Sequence, residues 1–500
     1  MNTVTLADVF VGLAKRWGDR PALVSPHLTL SYCELVARAA RTARELRSRE
    51  IVAGSKVGIA LRDGAETGVG MIAIWMLGAT AVPIDFRTTS PERRSLVSEF
   101  DLKAVIEDRP TPHAGYDSIL VDSDWTALIA RHKNDPVWPS KNRAAAIISL
   151  TSGTTNRPLG IILDHEGVLL RSICDLSLAY GNCLLNPLPL SYSASRSHTF
   201  SALLHGSSVF FHPVLFSTEE LANAIVARRV TSVCIVPTIL RNFLEFFGRR
   251  STPQFFNLEA LYCLGAPMRP EEKLRAKRIL SKHFVEDYGT SLAGRISSLH
   301  GADLEERPDS VGRIMPYVAL EIVDAEDRPL PSGEAGIIRV RAPGMARSVY
   351  GATTRASGDK LIDGWAYPGD IGVMDDTGFL GLLGRTSDVI VRGNANVHPS
   401  EVEHAIAGHE GVREVVVVGF DKLPEGQGIA AFVVPSDTLT ETALIAHCRA
   451  HLSPDKRPRK FVFVKELPRN AYGKVSRAEL RRQIEGTLKQ DEERLPERLA

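Results

Sequence analysis

The sequence has almost no charge imbalance and little cysteine chemistry. Its 500 residues carry 60 Lys+Arg against 59 Asp+Glu, a formal net charge of +1. That balance supplies no electrostatic reason to expect nucleic acid or an anionic membrane as a partner. The six cysteines, Cys33, Cys174, Cys183, Cys234, Cys263 and Cys448, form no C-x-x-C pair, and most sit in apolar runs. This pattern favours reduced thiols in a cytoplasmic protein over a disulfide framework or a zinc site. The opening stretch MNTVTLADVF has no basic region before an apolar core, so no signal peptide is expected. One uncharged run, Thr67 to Ile84, approaches the length of a membrane span. Gly78 interrupts it and Pro83 and Asp85 close it, so it reads as a buried helix, a glycine turn and a short buried strand, with no membrane span. Internal repeats and low-complexity tracts are also missing.

What is present is apolar material in α/β order. The 44% hydrophobic and 24% charged fractions are those of a soluble globular chain. The length suggests roughly three domain-sized units of about 150 residues, fused into fewer lobes. Up to about residue 380, amphipathic helical stretches alternate with short runs such as KVGIAL, AVPIDF, KAVIED, SVCIVP and ALYCLGAP. That alternation predicts parallel sheets covered by helices. YCELVARAARTARELRSR places Leu35, Val36, Ala39, Ala43 and Leu46 on one helical face. From about residue 311, short strands between Gly/Pro/Asp turns predict a small β unit. After GRTSD a further α+β pattern runs to the end. The expected organisation is α/β: a large N-terminal domain, residues 1–384, and a small C-terminal domain, residues 385–500.

The stretch SLTSGTTNRPLG, Ser149 to Gly160, follows a buried-strand pattern, AAAIISL. Its small side chains, backbone N–H groups and hydroxyls can converge on a phosphate without obstruction. It is not the G-x-x-x-x-G-K-[ST] pattern, and taken alone it reads equally as a Ser/Thr-rich surface turn.

It does not stand alone. TSGTTNRPLG resembles the phosphate loop of the adenylate-forming superfamily, whose usual form is T-S-G-T-T-G-x-P-K-G. LYCLGAPM resembles that superfamily's adenine-pocket strand and turn, and DYGTS its Y-G-x-[ST] turn. GWAYPGDIGVMDDTGFLGLLGRTSDVI is similar to its ribose-binding and hinge segment. RGNANVHPSEVE and LPRNAYGKVSR are similar to its two C-terminal signatures. The similarity covers nearly the whole chain, in order. It implies acyl- or aryl-CoA synthetase chemistry: a carboxylic acid attacks the α-phosphate of ATP, giving an acyl-adenylate and pyrophosphate, and a thiol then displaces AMP.

The resemblance also implies roles for residues. Lys474 would reach the substrate carboxylate and α-phosphate, as a flexible ammonium following developing charge. Arg385 would approach ribose and phosphate, and Asp370 would hold the ribose hydroxyls. Thr151, Ser152, Gly153, Thr154, Thr155 and Gly160 would cradle phosphate. Gly265, Ala266, Pro267, Asp287, Tyr288, Gly289 and Thr290 would form the nucleotide pocket. Ser387 occupies the hinge about which the mobile C-terminal domain turns between the half-reactions, and Gly393 would line the thiol channel. In the acid-side segment LPLSYSASRSHTFSALLHG, His198 and Arg196 are the candidate polar liners, with Ser291 from the DYGTS turn. That segment has no Asp to hold an α-ammonium, which disfavours an amino-acid substrate. ATP, Mg²⁺ and CoA are the implied cofactor and co-substrates. CoA, or a free-standing carrier protein in trans, is the acceptor.

Four positions depart from the superfamily pattern. Asn156 replaces a loop glycine, Leu159 the loop lysine, and Ser387 the usual hinge side chain. Leu292 stands where a glutamate helps hold Mg²⁺, and a leucine cannot coordinate a hard cation. Two readings therefore stay beside the CoA ligase: a ligase to a carrier protein, and a weakly active or inactive protein that binds a nucleotide or acyl-adenylate.

Overall fold

The Val/Ile/Leu runs become central strands. In a computed structural model, Lys56–Ala60, Thr80–Pro83, Ala104–Glu107, Ser232–Ile235 and Ala260–Leu264 are all strands, and all their residues but Lys56 and Leu264 are buried. Such strands are covered on both faces, so they need apolar side chains at successive positions rather than alternate ones. The structure describes residues 4–111, 114–138, 145–151, 159–174, 182–350, 360–392, 395–423, 426–436, 439–469 and 475–494.

The chain divides into two compact units: Met1–Leu320 with Val340–Ala366, and Glu321–Arg339 with Tyr367–Ala500. The first unit holds a nine-stranded and a seven-stranded sheet among the described residues. In the larger one, Ser232–Ile235, Ala260–Leu264 and Phe284–Thr290 run parallel, with Leu261 opposite Val233 and Phe284. In the smaller one, Ile147–Thr151 lies parallel to Thr80–Pro83 and antiparallel to Leu159–Leu163. Thr151 and Leu159 are thus register partners at the base of the segment between them.

The amphipathic stretch forms the helix Tyr32–Ser48 and buries Leu35, Val36, Ala39, Ala43 and Leu46 as predicted. Ser31 and Glu34 close a capping box at its start, satisfying two otherwise orphaned N–H groups. The run from Thr67 forms the buried helix Gly64–Met76, a turn at Gly78 (φ +68°) and the strand Thr80–Pro83. Trp75 on that helix is fully buried and donates its indole N–H to Ala146 O at 2.8 Å. Among the described residues, no helix is long and apolar enough to cross a membrane.

In the second unit Asp370–Met374 and Leu380–Arg385 form an antiparallel pair, with Ala335–Ile337 on the other side of Asp370–Met374. A separate sheet, five-stranded among the described residues, is built on Val412–Leu423 and Gly426–Pro435. The helices Pro399–Ala407 and Glu441–His451 bury Val402, Ile406, Leu444 and Cys448 in a common core with that sheet's Val417, Ile429 and Val433.

Candidate active site

Two parallel strands of the first unit end at one cavity. Ala260–Leu264 delivers Leu264 and Gly265, and Phe284–Thr290 delivers Asp287, Gly289 and Thr290. Crevices at the carboxyl ends of parallel strands are the usual ligand sites of open α/β sheets. The helix Ser193–Leu204 supplies Ser197 and His198 from another wall, and Tyr192 precedes it.

Two glycines here are required by geometry. Gly265 has φ +103°, and a Cβ on it would lie 2.2 Å from the Tyr192 hydroxyl. A Cβ on Gly289 would lie 2.6 Å from Gly294 O. The register of the Phe284–Thr290 and Gly294–His300 hairpin slips between Tyr288 and Gly289, so the ladder is irregular at the cavity. Gly160 is glycine for another reason: a Cβ there would lie 2.5 Å from the Phe100 ring. Ala266 is half-buried and Pro267 exposed just past the strand end.

The polar groups of the cavity differ in how they are held. His198 is 4% exposed, its ring 4.9 Å from that of Tyr262. Burial pulls its pKa down to about 4, against the pull of Asp287 and with the help of Arg295, so the imidazole is neutral at pH 7. Asp287 and Arg295 are both buried, with Arg295 Nη1 3.5 Å from Asp287 Oδ2. Arg171, from the helix His165–Cys174, donates from Nε to Gly344 O at 2.6 Å. It also donates from Nη2 to Ser291 O at 3.0 Å and Leu292 O at 2.7 Å. One guanidinium fork therefore ties two loops of the cavity wall. Gly344, at φ +72°, makes room for it: a Cβ there would lie 2.9 Å from Arg171 Cγ.

Of the predicted residues, the structure brings Gly265, Asp287, Gly289, Thr290, Ser291 and His198 to this one cavity. Tyr288 is half-buried between Asp287 and Gly289, opposite Ser297 in the ladder. Arg196 is not at the cavity. It is buried and donates to Leu190 O and Ser191 O at 2.7 Å and to Ser149 Oγ at 2.5 Å, so it fastens the loop before its helix. The Thr151 hydroxyl donates to Leu159 O at 3.4 Å. Ser152, Gly153, Thr154, Thr155 and Asn156, together with Gly393 and Lys474, lie outside the described residues.

Leu292 is 1% exposed, and its carbonyl accepts from both Arg171 and the Ala346 N–H. The Thr290 hydroxyl accepts from the Ala293 N–H at 3.2 Å. The turn is thus closed on itself around an apolar side chain. Among the described residues no group of three or more His, Cys, Asp or Glu could hold a metal. The residues present do not offer Mg²⁺ a carboxylate at this turn.

In the second unit Asp370 and Arg385 are register partners, with Arg385 Nε 3.2 Å from Asp370 Oδ1. Arg385 Nη2 also donates to Pro368 O at 2.8 Å. Gly369 turns the chain at φ +75°, and its carbonyl accepts from the Thr386 N–H. Exposed Ser387 follows in a short 3₁₀ turn, Thr386–Asp388. Arg477 donates to Glu403 Oε1 at 2.6 Å, Glu403 Oε2 at 3.0 Å and Val417 O at 2.5 Å. It also stands 3.5 Å from Asp388.

Sequence reasoning missed Arg171, Arg295 and Arg477. Each sits in a polar or mixed context where a solvent-facing arginine is the default, and each finds its role through residues distant in sequence or across a turn.

The first unit's strand-end cavity carries DYGTS, the second unit carries a carboxylate–guanidinium pair at YPGD and GRTSD, and each by itself fits an α/β enzyme of the adenylate-forming class. The sequence matches the family model "AMP-binding enzyme" over residues 11–350 and "AMP-binding enzyme C-terminal domain" over residues 401–474. The chain belongs to the AMP-binding enzyme family. It is 29% identical to a 2-succinylbenzoate–CoA ligase of Bacillus licheniformis, over 92% of this chain and 96% of the relative. It is also 29% identical to a feruloyl-CoA synthase of an Amycolatopsis species, over 94% and 98%. Its fold is similar to that of ATP-bound MatB from Rhodopseudomonas palustris, with a TM-score of 0.86, 25% identity and coverage of 97% and 99%.

Proposed function

We propose that the protein is an ATP-dependent acid–CoA ligase. An aryl or acyl carboxylate oxygen attacks the α-phosphorus of ATP, the bond to the β-phosphate oxygen breaks, and acyl-AMP and pyrophosphate form. The CoA thiolate then attacks the acyl carbonyl, AMP leaves, and a thioester results. The observation that carries this reading is the Asp370–Arg385 pair, fixed by strand register, in a chain whose family match spans both units. Asp370 accepts from the ribose hydroxyls and Arg385 faces ribose and phosphate. Gly265, Ala266 and Pro267 let backbone approach the adenine, and Tyr288 offers it a ring.

Thr151, Ser152, Gly153, Thr154, Thr155 and Gly160 belong to the phosphate side, and Gly289 and Thr290 extend it. Lys474 is the catalytic cation of the first step, stabilising charge between carboxylate and α-phosphate. Residues 385–500 turn about Ser387 between the steps, and Gly393 lines the thiol path. The protein acts in the cytoplasm, a reading supported by six cysteines of which no two are bridged.

Pyrophosphate exchange across a panel of carboxylic acids tests the first step, and thioester formation with CoA or with a carrier protein tests the second. No exchange with any acid, in folded protein that binds ATP, overturns the reading. One observation favours a second reading, adenylate binding without turnover: Leu292 is buried where the family places a metal-binding glutamate. Rapid pyrophosphate release with any acid eliminates it.

A further inference from the structure

Arg477 joins four parts of the second unit. It opens the helix Arg477–Arg494. Its Nη1 and Nη2 donate to the two carboxylate oxygens of Glu403, on the helix Pro399–Ala407, at 2.6 and 3.0 Å. Nη1 also donates to Val417 O, while Glu403 Oε1 accepts the Val417 N–H at 2.8 Å. The pair thus holds both backbone groups of one residue in the strand Val412–Leu423. Nε stands 3.5 Å from Asp388 Oδ2, the loosest of these contacts.

Packing alone does not call for this arrangement. One cation faces two half-buried carboxylates, and replacing such pairs with apolar side chains is often neutral or stabilising. What a guanidinium adds is a rigid, planar fork that fixes several partners at once.

The partners it fixes bear on the reaction. Arg469 and Val475 are bridge partners, and the Ser476 N–H donates to Pro468 O at 2.9 Å. Arg469 Nη2 also donates to Glu414 Oε2 at 2.6 Å, on the same strand as Val417. The residues on either side of 470–474 are therefore joined to each other and to one strand. Lys474 directly precedes Val475 in the chain, so its Cα stands about 3.8 Å from that fixed point. On the other side, Asp388 ends the turn Thr386–Asp388. Thr386 begins that turn with its N–H and its hydroxyl both donating to Gly369 O, next to Asp370. Ser387 is the residue between these two attachments, and its hydroxyl donates to Asp388 Oδ1 at 3.3 Å.

We propose that Arg477 is a positioning residue that ties the segment beginning at Val475 to the hinge turn through Asp388, so that Asp388 and Lys474 move as one body when the domain turns about Ser387. The assignment rests on the ligase reading and extends it from Lys474 to the residues that place it.

The test uses the full chain and the panel acid with the fastest pyrophosphate exchange. Acyl-AMP formation is followed in a single turnover, and thioester formation is followed separately from supplied acyl-AMP and CoA. A shift of about 1 Å in a catalytic group can cost roughly 100-fold, so Arg477→Met and Asp388→Asn should each slow acyl-AMP formation by about tenfold or more. Because the loss lies in placing a transition-state contact, KM for ATP should change by less than about threefold. Thioester formation from supplied acyl-AMP, which does not use Lys474, should likewise stay within about threefold. Arg477→Lys keeps the charge without the fork and should recover part of the rate. In a Lys474→Ala background neither substitution should slow acyl-AMP formation by more than about twofold, since both act through that lysine. Hydrogen exchange gives a readout independent of activity. In folded Arg477→Met it should rise across residues 386–392 and 469–480 together. Should Arg477→Met not fold, Asp388→Asn and Arg477→Lys carry the same comparisons.

Losses that persist in full in the Lys474→Ala background overturn the proposal and leave the ligase reading intact. Equal losses in the two half-reactions do the same, as does exchange that rises in 469–480 alone. A parent protein that binds ATP but turns over no acid overturns the ligase reading. The exchange result then decides the tie: a joint rise supports it, and a rise in one segment only overturns it as well.

Discussion

Asp370 and Arg385 face each other across adjacent antiparallel strands, with the Arg385 Nε 3.2 Å from Asp370 Oδ1. Strand register sets this pairing, so it does not depend on a flexible side chain finding its partner. Asp370 is 8% exposed and sits just after the Gly369 turn. Replacing Asp370 with Asn keeps the shape and removes the charge that pairs with Arg385 and that the proposed function assigns to the ribose hydroxyls. Losing charged hydrogen bonds of about 1.5–3 kcal/mol lowers kcat/KM for ATP by roughly 10- to 100-fold. Steady-state kinetics with ATP varied reads this. An unchanged KM and kcat would remove Asp370 from the nucleotide site.

Gly265 is held at φ +103° with the Tyr192 hydroxyl 2.2 Å from where a Cβ would stand. Gly265→Ala therefore meets two separate penalties, strain in the backbone and a clash with Tyr192. Together they cost about 1–3 kcal/mol or more, seen as a lower urea midpoint. In a Tyr192→Phe background the clash is relieved and the backbone strain is not. The loss should shrink there without vanishing, and a double-mutant cycle measures the difference.

Arg171 ties Ser291, Leu292 and Gly344 through three backbone acceptors. Arg171→Met fills similar space and leaves the Ser291 and Gly344 carbonyls without this donor, while Leu292 O keeps the Ala346 N–H. Each such loss costs about 1–3 kcal/mol, so a fall of at least roughly 2 kcal/mol in unfolding free energy is expected. Arg171→Lys keeps the charge but not the fork, and should recover only part of the loss. Urea denaturation of the three proteins decides it.

Much of this fold was legible because burial writes itself into sequence. Parallel strands such as Ser232–Ile235 and Ala260–Leu264 need uninterrupted apolar runs, and the helix Tyr32–Ser48 needs its 3.6-residue stripe. His198 and Ser291 were legible as cavity residues through family resemblance. The arginines were not. Arg171 bonds Leu292 across 121 positions, and Arg477 bonds Glu403 across 74. Nothing local distinguishes them from solvent-facing arginines, since only the tertiary fold supplies the carbonyls and carboxylates they need. Arg196 failed the other way: its position suggested the cavity, and the backbone carbonyls of Leu190 and Ser191 claimed it.

Two buried histidines give the stability a pH signature. Burial lowers the pKa of His165 and of His198 to about 4 from the ordinary 6.5. Between those values the unfolded chain binds more protons than the folded one. Their contribution is therefore fully present above pH 6.5 and is lost as the pH falls toward 4, on the order of 3 kcal/mol for each. The His165 Nδ1 accepts the Leu6 N–H at 3.2 Å. Asn places an amide oxygen at the same position, so His165→Asn keeps an acceptor and removes the titration. Urea midpoints measured from pH 7 to pH 4 should fall less steeply in His165→Asn than in the parent protein. Parallel slopes would place His165 outside the acid response.

Leu292 stands where the resemblance expects a metal-binding glutamate, which invites restoring it. The surroundings argue against rescue. The side chain is 1% exposed, and its carbonyl is held by Arg171 and the Ala346 N–H, which fixes the backbone on either side. Leu292→Glu would bury a carboxylate in a space shaped for an apolar side chain. That charge must be neutralised, paired or driven outward at a cost of several kcal/mol. The expected result is a lower unfolding midpoint and no gain in pyrophosphate release at any Mg²⁺ concentration. Leu292→Gln, which introduces a neutral polar group of the same length, should destabilise less and also give no gain. If Leu292→Glu instead keeps the parent stability and accelerates pyrophosphate release, the turn has room to present a ligand, and its apolar closure is not what separates this chain from the family pattern.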